Sequence, residues 1–525
     1  MKKRKNIIIL ILILILIGFW AGRFSVAKAE DNSSGNLYAY MKLFTEILTK
    51  IQQCYVNEID AEEVIYGAID GMLKKLDPYT TFLTKDDFSD LQTTTKGEFG
   101  GLGIHISSKD NYITVMSVVE ATPASRSGLM AGDQILKVDD ESTKDWSSSQ
   151  ASKKLRGPKG TKVNITIKRE GVKDEMNIEI ERDVVKIPSI PYVYKINDNI
   201  GYIRITNFNA TTGKNLHNAL VELQEQGIKG LLLDLRSNPG GLLSQAIETV
   251  DEFLPSKKLV VYTKGRVKNF ERKFFTTDKY SFNDIPIIVL INRGSASASE
   301  IFAGSLQDWD KALIVGENSF GKGSVQQLFP LPMETGLKIT TSKYYIKSGR
   351  CIHKDNNEDS EKESKVDTVN NDEKEVFYTE SGRSVYGGGG ITPDIEIIQD
   401  TLSDFEITVR RKNLFFNFAV DYIASHNIDN YFIITDDIFN SFVKYINENE
   451  IEYTDSELEE AEAWLRNSLE SQIYSNKFGL EEGNKISTQY DPQLQKALEL
   501  FEKFSTMDEM FAYITDVSDA TDVNK

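Results

Sequence analysis

Ile287-Ile288-Val289-Leu290-Ile291-Asn292-Arg293-Gly294-Ser295-Ala296-Ser297-Ala298-Ser299-Glu300-Ile301-Phe302-Ala303 sets an unbroken apolar run before a glycine, a file of small residues and a second apolar stretch. The first run reads as a buried strand. Gly294 and the small residues after it fit a tight turn, and Glu300 to Ala303 has helical character. A serine at the top of such a strand–turn–helix sits where backbone N–H groups and the helix dipole stabilise a developing negative charge. Further on, Gly316-Glu317-Asn318-Ser319-Phe320-Gly321-Lys322-Gly323-Ser324-Val325-Gln326-Gln327 supplies a glycine-flanked lysine and, four residues later, a glutamine. If the end of that segment is helical, Lys322 and Gln326 share a face.

Around this stretch, residues 184–400 read as α/β. Strand-like runs are Ile200 to Ile205, Gly230 to Leu235, Ile287 to Ile291, Ala312 to Val315 and Leu337 to Thr341. Helical stretches such as Lys214 to Gln226 and Leu242 to Leu254 sit between them, so a mixed sheet with crossover helices is expected. Leu235-Arg236-Ser237-Asn238-Pro239-Gly240-Gly241-Leu242 ends one strand and opens a helix. Paired glycines there let backbone N–H groups face a ligand, as an oxyanion hole requires. Residues 354–375 are densely charged and poor in aromatics, which marks a mobile acidic insert.

Upstream, residues 97–183 alternate apolar and polar positions, as in Ile113-Thr114-Val115-Met116 and Val163-Asn164-Ile165-Thr166-Ile167. Residues 36–95 carry helical spacing, for example Leu37, Tyr40, Met41, Phe44, Ile47 and Ile51, and read as a small helical domain or a dimerising arm. Core packing is the default explanation of that stripe. Asp77-Pro78 stops the second helix of this region. Residues 401–525 look helical and contain no catalytic constellation; they are expected to pack on the core or on another subunit.

The N-terminus, Met1-Lys2-Lys3-Arg4-Lys5 followed by an apolar run from Ile7 to Gly22, has the form of an export signal. Residues 1–29 are therefore assigned to a signal sequence or membrane anchor. Ala27-Lys28-Ala29 is a cleavage pattern, and the uncleaved anchor is preferred. The basic flank places the rest of the chain outside the cytoplasm, on the periplasmic or cell-surface side.

The chain has 525 residues, 40% hydrophobic and 27% charged, which suits a globular protein of several domains. Its net charge of −18 argues against a nucleic-acid footprint. Cys54 and Cys351 form no disulfide framework, and His105, His217, His353 and His426 are scattered. Neither a metal nor any other cofactor is expected.

A serine nucleophile needs a base, because its hydroxyl is barely ionised at neutral pH. No histidine lies near Ser295, Ser297 or Ser299 in sequence, although His217 could approach through the fold. Lysine serves as a base once burial or neighbours bring its pKa from ~10.4 toward ~7–8. Lys322 lies among Phe320, Gly321 and Gly323 with no acidic residue from 318 to 333. On spacing alone, all three serines remain candidates.

Two sets of motifs carry a resemblance. Pro123-Ala124-Ser125-Arg126-Ser127-Gly128-Leu129-Met130-Ala131-Gly132-Asp133-Gln134-Ile135, together with the glycine-rich Gly97-to-Ile104 loop, resembles a PDZ domain over 97–183. Gly100, Gly101, Leu102, Gly103 and Ile104 are the positions that this likeness assigns to a peptide's C-terminal carboxylate, with β-augmentation along the adjoining strand. Gly294-to-Ile301, Phe320-to-Gln326, Arg236-to-Gly241 and the Asp77-Pro78 stretch resemble the carboxyl-terminal processing peptidases, or tail-specific proteases, over roughly residues 40–400. The resemblance implies Ser297 as nucleophile, Lys322 as general base and Gln326 as the residue holding the lysine. It also implies oxyanion donors from the Gly240 and Ala298 backbones. The implied fold is multidomain α+β and α/β, a crotonase-like protease core with an inserted PDZ domain and flanking helical domains. The implied function is a Ser–Lys endopeptidase that cleaves exported proteins near their C-termini. Arg156 resembles a position linking the PDZ-like module to the active site and is expected to organise Lys322 and Gln326; the alternative is a solvated turn arginine. Expected partners are proteins with free C-terminal tails, the membrane through the N-terminal segment, and a second copy of the chain. The competing functions are a catalytically silent PDZ adaptor and a crotonase-like acyl-CoA enzyme.

Overall fold

The computed structural model describes residues 34–522, apart from 110, 279–281, 283–284, 355–374 and 400. The expected signal or anchor at 1–29 and nearly all of the acidic insert lie outside the described residues. Among the described residues, no helix is long and apolar enough to cross a membrane. The chain divides into two compact units, with the boundary between Phe82 and Leu83.

The first unit contains the helices Ser34–Cys54 and Ala61–Leu73. Asp60 caps the second helix by accepting from the Glu62 N–H at 2.8 Å. Asp77 accepts from the Tyr79 and Thr80 N–H groups at 2.7 and 2.9 Å, which turns the chain at Asp77-Pro78. The apolar stripe of the first helix is not core: Leu37, Tyr40, Met41, Phe44 and Ile47 are all exposed. Helical spacing fixes which residues share a face, and says nothing about what covers it.

The second unit opens with the helix Lys85–Lys96, capped reciprocally by Thr84 and Asp87. An antiparallel sheet follows, in the order Ile104–Lys109, Tyr112–Val118, Gln134–Val138, Lys162–Lys168, Met176–Glu181. Val163, Ile165 and Ile167 point inward with Ile113, Val115 and Ile135, while Lys162, Asn164 and Lys168 are exposed. That alternation is the two-residue period of a half-buried strand. Ile104–Lys109 is the edge of this sheet, and the helix Ser148–Leu155 runs beside it.

The central sheet has the order Tyr192–Lys195, Ile200–Arg204, Gly230–Asp234, Ile287–Ile291, Leu313–Gly316, Ile395–Glu396. Its first pair is antiparallel and the others are parallel. Gly230–Asp234, Ile287–Ile291 and Leu313–Gly316 are buried throughout. Such continuous apolar strands require cover on both faces. Leu231, Leu233 and Val289 meet the helices Thr212–Glu225, Leu243–Val250 and Ala298–Asp308. Leu232, Ile288, Leu290 and Val315 meet Leu494, Ala497, Leu500, Met510 and Phe511 from the C-terminal helices. Each fully buried leucine is worth about 1.5–3 kcal/mol. This last part of the expected C-terminal helical region thus packs on the core.

A smaller antiparallel sheet joins Ser324–Pro330, Gly336–Ile346, Leu259–Lys264 and Arg272–Phe275. The helices Asp404–Arg411, Leu414–Ser425, Asp436–Glu448 and Asp455–Phe478 build a core of their own. This bundle leans on the module of the antiparallel sheet between Ile104 and Glu181: a Cβ built on Gly132 would stand 2.7 Å from Val420 Cγ1.

Candidate active site

Parallel strands end at one edge, so the segments that follow them converge there. The segments leaving Gly230–Asp234, Ile287–Ile291 and Leu313–Gly316 are Arg236–Gly241, Asn292–Ser297 and Glu317–Lys322. Asn292 Oδ1 ties the first two together by accepting from the Ser237 N–H at 2.7 Å and the Gly294 N–H at 3.0 Å.

The three serines differ sharply. Ser295 is fully buried and donates to the Leu235 carbonyl at 2.8 Å, and Ser299, also fully buried, donates to the Asn238 carbonyl at 2.9 Å. The Ser299 hydroxyl thus holds the Arg236–Gly241 turn against the helix Ala298–Asp308. Ser297 is half-buried and stands at φ 55°, ψ −110° immediately before the helix Ala298–Asp308. A non-glycine residue at such a φ costs roughly 1–3 kcal/mol and persists only where its surroundings impose it.

Glu300 is the group that imposes it. Its Oε2 accepts from the Ser297 N–H at 2.7 Å and the Lys322 N–H at 2.9 Å. Its Oε1 accepts from the Gly321 N–H at 2.7 Å and the Ser319 hydroxyl at 2.5 Å. The residue is 1% exposed, and burial raises its carboxyl above the ordinary range against these four bonds, which favour the carboxylate. One buried side chain therefore joins the serine turn to the lysine loop. Tyr344, from the strand Gly336–Ile346, repeats the link: its hydroxyl lies 3.0 Å from the Ser297 carbonyl and 2.6 Å from the Lys322 carbonyl. Sequence reasoning missed both residues. Ser297-Ala298-Ser299-Glu300 has the Ser-x-x-Glu spacing of a capping box, a signal that would have singled out Glu300.

Gly240 meets Ser297 closely. At φ 96°, a Cβ on it would fall 2.8 Å from both the Ala298 nitrogen and Ser297 Cβ. Its N–H donates to Asn238 Oδ1 at 2.9 Å, so one of the two expected oxyanion donors is engaged within its own turn. The Ala298 N–H opens the helix, where the ladder supplies no acceptor.

Gln326 departs from expectation. Ser324–Pro330 is a strand, not a helix, so the four-residue spacing from Lys322 gives no shared helical face. Gln326 Nε2 donates to Ser324 Oγ at 2.9 Å and approaches Thr340 Oγ1 at 3.4 Å. Arg156 ends the helix Ser148–Leu155, pairs with Asp90 at 2.9 Å and lies over the Phe99 ring, 4.7 Å from its centroid. His217 engages Glu252 at 3.1 Å. His353, another residue passed over in the sequence, accepts through Nδ1 from the Gly323 N–H at 3.3 Å.

Beside the antiparallel sheet between Ile104 and Glu181, Gly100 and Gly101 belong to the strand Glu98–Gly101, which pairs with Asp183–Lys186. Leu102 is buried, Gly103 turns the chain at φ 85°, and Ile104 starts the edge strand. No described contact joins these residues to Ser297.

Behind the Arg236–Gly241 turn, the fully buried Asp234 pairs with Arg204 and, at 2.7 Å, with Arg236, and accepts from the Tyr202 hydroxyl at 3.0 Å. Burial alone would raise its carboxyl, but the two guanidiniums hold it well below the usual carboxylate range.

Peptidase family S41 matches residues 199–361, and a PDZ domain matches 100–180. The activating protease CtpB N-terminal domain matches 22–87, and the C-terminal helical domain of a probable PDZ-protease matches 405–458. A carboxy-terminal-processing protease of Bartonella bacilliformis is 41% identical over 325 residues, covering 61% of this chain and 74% of that one. The carboxy-terminal processing protease CtpA of Bacillus subtilis is 33% identical over 337 residues, covering 64% and 71%. Among solved structures, a photosystem II D1 C-terminal processing protease is 24% identical, with a TM-score of 0.37 and coverage of 69% and 94%. With relatives this similar over this much of their length, the chain belongs to peptidase family S41 as a serine-type carboxyl-terminal processing endopeptidase.

Proposed function

We propose that Ser297 and Lys322 form a Ser–Lys dyad that cleaves exported proteins near their C-termini, with the PDZ module recognising the tail. The observation that carries this reading is the Glu300 carboxylate, which binds the backbone N–H groups of Ser297 and Lys322 at 2.7 and 2.9 Å. It favours Ser297 over Ser295 and Ser299, whose hydroxyls are spent on backbone carbonyls.

The tail enters as an added strand on the free edge of Ile104–Lys109, beside the helix Ser148–Leu155. The chain end settles at Gly100-Gly101-Leu102-Gly103-Ile104. Neutral Lys322 takes the Ser297 proton as the hydroxyl attacks the scissile carbonyl. The oxyanion is held by the Ala298 N–H and by the Gly240 N–H, which exchanges its Asn238 partner for the new charge. Lys322 then protonates the leaving amine, and water releases the acyl group. In this reading Gln326 turns from Ser324 to hold the lysine, and Arg156 leaves Asp90 to organise the pair once a tail is bound.

The same reading divides the chain into a helical domain (36–95), a PDZ domain (97–183), a crotonase-like peptidase core (184–400) and a C-terminal helical domain (401–525). It places the protein outside the cytoplasm, anchored through its N-terminal segment, and self-associating through the exposed stripe of Ser34–Cys54.

The test incubates an unstructured protein bearing a free C-terminal tail with the intact chain, Ser297→Ala and Lys322→Ala. Both substitutions are expected to lower kcat by about 10⁴-fold or more, with tail affinity unchanged. Undiminished cleavage by either variant would sink the dyad. Tail binding without cleavage by the intact chain would favour an adaptor.

A further inference from the structure

The chain beyond Phe478 reaches the back of the candidate site. The helix Pro492–Lys503 opens on Asp491, whose Oδ1 accepts from the Gln493 and Leu494 N–H groups at 3.0 and 3.1 Å. Its other oxygen is left to accept from Arg236, at 2.5 Å. Gln493 is fully buried. Its Oε1 accepts from the same Arg236 nitrogen at 3.1 Å, and its Nε2 donates to the Ile397 carbonyl at 2.7 Å. Both ends of the amide are thus used in the one orientation that matches an acceptor to a guanidinium and a donor to a carbonyl.

Those two contacts belong to different halves of the site. Arg236 opens the turn that ends in Gly240. The Ile397 N–H donates to the Gly316 carbonyl at 2.8 Å, and Gly316 begins the segment that carries Lys322. Docking of the helix does not require either polar residue, because Leu494, Ala497 and Leu500 already seat it on the sheet. An apolar side chain at position 493 would spare the desolvation of an amide.

We infer that Asp491 and Gln493 are positioning residues for the peptidase reaction, fixing the Arg236–Gly240 turn relative to the Lys322 segment. The inference rests on the oxyanion and base roles given above to Gly240 and Lys322. Neither residue touches substrate. Their effect falls on the geometry in which the tetrahedral intermediate is held, so it appears in kcat rather than in tail binding.

The experiment uses the full chain with Asp491→Asn, which keeps shape, and Gln493→Leu, which keeps bulk. It measures kcat and KM on a tailed unstructured protein, and the affinity of a peptidyl boronate, which becomes tetrahedral on a reactive serine. Each variant is expected to lose about tenfold to a hundredfold in kcat, with a parallel loss of boronate affinity and KM within about twofold. Leu494→Ala, on the same helix but without contact to Arg236, lowers the melting temperature and leaves kcat per folded molecule within about twofold. The positioning role is overturned if Asp491→Asn and Gln493→Leu keep wild-type kcat and boronate affinity. It is equally overturned if Leu494→Ala lowers both as much as they do. Ser297→Ala separates the two readings: residual cleavage there removes the site assignment itself, whereas a silent Ser297→Ala beside a wild-type Gln493→Leu removes only the positioning.

Discussion

At the scale of single residues, Glu300 decides more than its neighbours. Two carboxylate oxygens meet four donors, and no neutral side chain reproduces that pattern. In Glu300→Gln, one oxygen becomes an amide nitrogen facing two donors in a buried pocket. Unfolding free energy is expected to fall by about 2–4 kcal/mol, since a buried charge-assisted bond is lost and a donor is left unsatisfied. Cleavage should fall by about 10²-fold, because the Ser297 turn and the Lys322 loop lose their common anchor. Urea unfolding and steady-state hydrolysis measure the two separately; unchanged kcat in a correctly folded Glu300→Gln would refute the anchoring role. The sign of its titration adds a constraint. A buried carboxyl with a raised pKa binds its proton more readily folded than unfolded. Its contribution to stability is therefore greatest below the unfolded value and is lost as pH rises through the folded value.

At the scale of elements, the strands were legible because each is a short, unbroken apolar run. Gly230–Asp234, Ile287–Ile291 and Leu313–Gly316 all lie within a residue or so of their expected bounds. The Ser297 turn was legible too, since small residues between an apolar strand and a helix have few other uses. Gln326 was not: a spacing of four suggests a helix only if the segment is helical, and Ser324–Pro330 instead pairs with Gly336–Ile346. Tyr344 could not be read at all, because its link to Ser297 and Lys322 exists only through that pairing. Tyr344→Phe keeps the buried ring and removes the hydroxyl between the two carbonyls. Stability is expected to fall by about 1 kcal/mol and kcat by about tenfold, with tail affinity unchanged. Fluorescence-detected tail binding beside hydrolysis rates checks the split, and a variant with wild-type kcat would show that Glu300 alone joins the two loops.

At the scale of the whole molecule, Asp234 links three layers. It is buried in the central sheet, bound to Arg204 from the neighbouring strand and to Arg236, which in turn reaches Asp491 on the C-terminal helix. Breaking such a pair strands a guanidinium in the interior, so Asp234→Asn should lower the unfolding free energy at pH 7 by about 3–5 kcal/mol. The pH dependence follows from the depressed folded pKa. A carboxylate held below its unfolded value, 3.8 for an ordinary aspartate, contributes its full stabilisation above that value. The contribution is lost only as pH falls through the still lower folded value. The gap between wild type and Asp234→Asn should therefore stay constant from pH 7 to about 5 and close only in strong acid. Denaturant titrations at pH 7, 6 and 5 test this within the range where other carboxylates remain ionised. A gap that narrowed by half across that range would mean that Asp234 titrates near its ordinary value, and that the guanidiniums of Arg204 and Arg236 do not hold the three layers together as the geometry requires.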